Sequence, residues 1–105
     1  MGKYVFAYHG GGDMPESEAD QAALMEAWGA WFAGMGEAVI DGGNPTSMAV
    51  TVGADESVTP GGGSNPLTGY SLVQAASLEA AAELAKGCPV LASGGSVEVA
   101  EIVEM

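Results

Sequence analysis

The stretch that most constrains the fold is residues 69–104, GYSLVQAASLEAAAELAKGCPVLASGGSVEVAEIVE, which reads as strand, short helix, strand. Ser77 is placed to cap the helix, because a serine oxygen accepts from the free N–H groups of a first turn. Glu79 follows in that turn, where a negative charge suits the helix dipole. Leu78, Ala81, Ala82 and Ala85, with Leu84, make an apolar helical face, and alanine favours helix intrinsically. Lys86 falls in the last turn, Gly87 is expected as a left-handed stop, and Pro89 lies just beyond. The flanking strands alternate. Tyr70 and Leu72 point one way, and Ser71, Val73 and Ala75 the other. In the last strand Val97, Val99 and Val103 oppose Ala100 and Ile102, which share their side with Glu98 and Glu104.

The chain opens on another strand, residues 3–9, KYVFAYH, rich in aromatic and β-branched residues. Val5 and Ala7 form one side of it, Tyr4, Phe6 and Tyr8 the other, so both faces are largely apolar. Asp13, Pro15 and Glu16 then mark the start of a helix running from about residue 16 to about residue 35. Leu24, Trp28, Trp31, Phe32 and Met35 recur at spacings of three and four and make one stripe, expected as core. Gly29 costs roughly 1 kcal/mol against alanine inside a helix, with close packing as the expected reason. A short extended piece over residues 37–41 ends in Gly42-Gly43-Asn44-Pro45, a loop by turn chemistry. Residues 48–52 and 57–59 flank a polar turn and predict a hairpin. The glycine-rich loop over residues 61–66 leads back to Tyr70.

This outline predicts one α+β domain spanning 1–105, with a ferredoxin-like antiparallel sheet and two helices on one face. Two helices can cover only one side of such a sheet, and its central strands are apolar on both sides. The second face is therefore expected to pack against the same face of a second copy, giving a homodimer and a dimeric α+β barrel.

Composition removes several function classes. The net charge is −12, with Lys3 and Lys86 as the only cations. Binding nucleic acid needs several lysines or arginines against phosphate, and an anionic membrane surface needs the same, so neither partner is expected. At 48% hydrophobic residues the chain is no disordered acidic tail. The single cysteine, the absence of a signal-peptide pattern and the lack of any membrane-length apolar run point to the cytoplasm. Cys88, just past a helix C-terminus, is expected as a buried, inert thiol.

Candidate chemistry centres on His9, the only histidine, at the end of the first strand and just before three glycines. Histidine is the one side chain whose unperturbed titration lies near neutrality, so His9 is the candidate acid/base or polar contact, with Asp41 as its orienter. Tyr8, Asn44, Asn65 and Tyr70 are candidate ligand-binding residues around it. A solvated strand-end histidine, an ordinary turn aspartate and turn asparagines remain the alternatives. No spacing suits a metal, no phosphate-loop pattern is present, and no cofactor is signalled.

Taken together, KYVFAYHGG at the start, AWGAWF in the first helix, DGGNP at residues 41–45, the run over residues 65–89 and GGSVEVAEI at residues 94–102 resemble the YCII-related, DGPF-domain-like family over nearly the whole chain. The resemblance implies a ferredoxin-like α+β barrel formed by dimerisation and, for some members, a His–Asp pair in a cleft. In this chain His9 and Asp41 would stand in for that pair. The first helix carries no histidine, and residues 60–64 stand where the DGPF signature would. The expected function is binding of a small organic molecule in a cleft near His9, with proton-transfer or elimination chemistry if the domain is an enzyme. The alternative is a non-catalytic regulatory or interaction module acting as a homodimer.

Overall fold

A computed structural model describes residues 2–10, 17–63 and 65–104. The first strand, β1 (Gly2–His9), is followed by α1 (Glu18–Met35), a 3-10 turn at Gly36–Ala38 and β2 (Val39–Asp41). A hairpin comes next, β3 (Val50–Val52) and β4 (Val58–Pro60). Then come β5 (Leu67–Ala75), α2 (Leu78–Ala85), a 3-10 turn at Pro89–Leu91 and β6 (Ser96–Glu101). The helix start read at Asp13, Pro15 and Glu16 lies outside the described residues. Within them, Ser17 caps α1, its Oγ accepting from the Asp20 N–H at 3.1 Å, with Glu18 and Asp20 in the favourable first turn.

Four strands form one antiparallel sheet in the order β2-β5-β1-β6, and β3 and β4 form a separate two-stranded sheet. The four-stranded sheet stays open at β2 and β6, so one chain makes no closed barrel. Register fixes the faces, since directly paired residues share a side. Tyr4 opposes Val73, and Phe6 opposes Ser71 and Val99. These residues face the helices, and the core is Tyr4, Phe6, Tyr8, Val73, Ala75, Ala81, Ala85, Cys88 and Val90, with Trp28, Trp31, Met35, Ala80, Leu84, Val97 and Val99 packed on it. Both helices thus bury against the same side of the sheet.

The stripe of α1 is held by aromatic contacts. Trp31 stacks on Phe6 with ring centroids 6.0 Å apart, and Trp28 meets Tyr8 edge-on at 5.0 Å. Such pairs add about 1 kcal/mol each beyond burial. Trp31 also ties the helices together, donating from Nε1 to the Leu84 carbonyl at 3.0 Å. The tie explains Gly87, which is not in the left-handed region expected of a helix stop. A Cβ there would press on the Trp31 indole at 3.2 Å, so the glycine serves close approach. Gly29 is corrected the other way, because a Cβ at that position would meet nothing within 4 Å. Ser77 caps α2 as expected, accepting from the Ala80 N–H at 3.1 Å.

On the side away from the helices lie Val5, Ala7, Tyr70, Leu72 and Ala100, all half-buried. No element of the described chain forms a layer over them, and the molecule is a slab of 43 × 42 × 19 Å. Among the described residues no helix is long and apolar enough to cross a membrane.

Candidate functional site

His9 ends β1 beside a register shift, so its pairing passes from Gly69 opposite Tyr8 to Leu67 opposite His9. The ring lies on the uncovered face with the odd-numbered residues of β1 and is only 13% exposed. Its Nδ1 is 2.9 Å from the carbonyl oxygen of Asn65, and its Nε2 is 3.1 Å from Oε1 of Glu98. Glu98 comes from β6, where it opposes Ala7 and therefore shares the face of His9 one step along. Its own side chain is 68% exposed.

Asp41 is not the partner of this histidine. Its Oδ1 accepts from the Gly43 N–H at 2.8 Å, closing a local turn. It pairs with Leu72, which in turn opposes Val5, so β5 lies between Asp41 and the strand of His9. Two strand spacings and four residues of rise separate them by on the order of 15 Å. The carboxylate that reaches His9 is Glu98, and the expected orienting role of Asp41 is corrected accordingly.

Tyr8 is also displaced from the expected lining. It faces the helices, and its hydroxyl donates to Ser71 Oγ at 2.7 Å, which donates onward to the Gly42 carbonyl at 2.7 Å. Burial pushes its phenol up to about 12. Tyr70 lies on the uncovered face opposite Ala7, and Asn44 is attached to it: the Tyr70 N–H donates to the Asn44 carbonyl at 3.2 Å, and Asn44 Nδ2 approaches the Tyr70 hydroxyl at 3.5 Å. Asn65 contributes its backbone carbonyl to His9. Of the sequence candidates, His9 and Asn65 meet directly, Asn44 and Tyr70 pair on the neighbouring strand, and Asp41 and Tyr8 belong elsewhere.

One shallow groove of about 180 Å³ runs between α2 and β6, lined by Ala82, Ala85, Lys86, Leu91, Val97 and Val99. A second, of about 270 Å³, lies between the Glu37–Ala38 turn, the end of β5 and Leu84. Among the described residues no group of three His, Cys, Asp or Glu side chains is arranged to hold a metal ion. What sequence reasoning missed is Glu98, read only as sharing the side of Ala100 and Ile102 in the last strand. The signal was its parity with Ala100 on β6, readable only once β6 is known to pair with β1. No protein-family model and no curated protein matches the chain.

Proposed function

We propose that the chain works as a cytoplasmic homodimeric interaction module, a ferredoxin-like and YCII-like domain whose two sheets pack face to face. The observation that carries this is the uncovered side of the sheet, where Val5, Ala7, Tyr70, Leu72 and Ala100 stand with no layer of described residues over them. The strand order β2-β5-β1-β6 with both helices on the other side supports the ferredoxin-like reading. Surface area supports the dimer: the chain exposes 6931 Å², while a compact monomer of its mass exposes about 5,400 Å². The surplus of about 1,500 Å² exceeds the roughly 800 Å² per partner of a standard interface. Cys88 as a free, buried thiol suits a reducing compartment.

Sedimentation equilibrium on the wild-type chain tests the assembly. The expected result is a dimer at micromolar concentration that Leu72→Asp converts to a folded monomer. A single 10.4 kDa species throughout would end this proposal.

The His9 pair favours a second reading, a small-molecule site at the end of the same face. An imidazole held between a carbonyl and a mostly exposed carboxylate can contact a ligand or pass a proton. In the face-to-face dimer the second protomer would wall that end and enclose a ligand there. Proton-transfer or elimination chemistry on a small organic compound fits the groups present. NMR of His9 against a small-metabolite library tests it: a compound that shifts His9 in the wild type and loses its effect in His9→Ala supports the site, and a silent library removes it.

A further inference from the structure

We infer that the free edge of β6 docks an extended, basic segment of another protein, which adds a strand to the sheet and lays its apolar side chains in the groove between α2 and β6. Pairing at an edge leaves the uncovered face free, so this docking is independent of the homodimer proposed above.

Parity decides which backbone groups are on offer. In an antiparallel pair, opposite residues alternate between exchanging both hydrogen bonds and exchanging none. The Ile102 N–H donates to the Lys3 carbonyl at 2.9 Å, so on the same register Ala100, Glu98 and Ser96 bond to Val5, Ala7 and His9. The N–H and C=O groups of Val97, Val99 and Glu101 therefore point away from β1. Among the described residues nothing pairs with them, since β6 ends the sheet. The other edge has no comparable ladder, because β2 has three residues and a register shift between Val39 and Asp41. A regular, unpaired edge is a template for a further strand.

The side chains beside this edge are sorted by face. Val97, Val99 and Glu101 oppose Tyr8, Phe6 and Tyr4, so they lie on the helix side. There the groove of about 180 Å³ has an apolar floor of Ala82, Ala85, Leu91, Val97 and Val99, and Leu91 is 42% exposed. A strand added to β6 carries every second side chain onto this side. Apolar side chains suit the positions opposite Val97 and Val99.

Charge selects the occupant. Glu101 is exposed at the end of the groove, and among the described residues no ion pair engages it. Glu98, on the other face of the strand, is 68% exposed and meets only His9. Lys86, the cation lining the groove, is held by Glu83 at 2.7 Å. A second copy of β6 would bring its own Glu98 and Glu101 to the edge of one six-residue strand, a contact too short for burial to offset repulsion between chains of net charge −12. A lysine-bearing strand brings the opposite charge to both carboxylates. From the position opposite residue 101 to the position opposite residue 97, the complementary antiparallel strand is basic, neutral, apolar, basic, apolar.

The peptide acetyl-Lys-Thr-Val-Lys-Val-amide has this pattern and is titrated to millimolar concentration into the 15N-labelled full chain, with the peptide carrying glutamates in place of both lysines as control. Docking is expected to shift the amide signals of Val97, Val99 and Glu101 more than those of Glu98 and Ala100, whose N–H groups face β1. The acidic peptide is expected to bind at least about tenfold more weakly. Glu101→Lys is expected to weaken the lysine peptide several-fold. Equal affinity for the two peptides, or no shift in β6 with the basic one, overturns the proposal. An alternating shift on raising the concentration of the chain alone makes a second copy the occupant and overturns it as well. None of these outcomes bears on the face-to-face dimer, which Leu72→Asp tests separately.

Discussion

The imidazole of His9 and the carboxylate of Glu98 meet at 3.1 Å across the β1–β6 pair, while the other ring nitrogen faces the Asn65 carbonyl at 2.9 Å. A carbonyl and an ionised carboxylate both only accept, so a neutral ring can donate to one of the two and a protonated ring to both. The Asn65 carbonyl is fixed in the backbone while the mostly exposed Glu98 side chain is free to turn toward water, so the neutral ring is expected as the Nδ1–H tautomer. With a single histidine in the chain, long-range 15N spectra at alkaline pH read this directly. A dominant Nε2–H tautomer would show that Asn65 does not hold the ring. Because Glu98 is mostly exposed, Glu98→Gln is expected to change unfolding free energy in urea by less than about 1 kcal/mol.

Tyr8 predicts an alkaline limit to stability. Its phenol ionises near 10.0 when unfolded but only near about 12 in the folded chain, because burial disfavours tyrosinate. The folded state therefore holds its proton more tightly. The stabilisation is fully present below pH 10 and is lost as pH rises toward 12. Tyrosinate absorbance followed together with circular dichroism is expected to show one tyrosine ionising as the fold is lost. In Tyr8→Phe that component disappears, and the missing hydrogen bond to Ser71 costs about 1 kcal/mol. An unchanged alkaline transition in that variant would assign the limit to another group.

Cys88 sits between the end of α2 and Pro89, is buried, and has its thiol pushed up to about 11 by that burial. Only the thiolate attacks disulfide reagents. An aromatic disulfide is expected to leave the native chain unmodified at pH 8 and to label it in step with unfolding in urea. Labelling well before the unfolding transition would mean that the 88–91 region opens on its own.

The alternation of Tyr4, Phe6 and Tyr8 against Val5 and Ala7 was legible because period-2 patterning is local, as was the Ser77 cap. Alternation defines two faces without saying which one the helices cover, and this misassigned Tyr8 to a ligand lining. The hairpin was found with its first strand two residues too long, since Met48 and Ala49 have the composition of a strand but lie before the first paired residue, Val50. The site was less legible. His9 stood out by its uniqueness, but its partner lies 89 positions away and is fixed by strand order. Asp41 looked like a partner because it also ends a strand next to glycines, yet its carboxylate is engaged by the Gly43 N–H two residues on, a local bond that competes with any long-range role.

That turn supplies a test in which one substitution has opposite signs at two glycines. Gly43 has φ +70, a left-handed conformation, and a Cβ there would collide with the backbone carbonyl of Tyr70. Both the strain and the clash act on the junction that pins β2 against β5 through Asn44 and Tyr70, so Gly43→Ala is expected to cost about 2 kcal/mol or more. Gly29 lies within α1, exposed, with open space around any added Cβ. There alanine removes backbone freedom from the unfolded chain without a steric penalty, and Gly29→Ala is expected to add about 0.5–1 kcal/mol. Urea denaturation of the two variants beside wild type measures both. A neutral Gly43→Ala would mean that the 41–44 turn does not hold β2 in the geometry described, and a destabilising Gly29→Ala would mean that α1 packs against something at that position, as a partner protomer on its outer side would do.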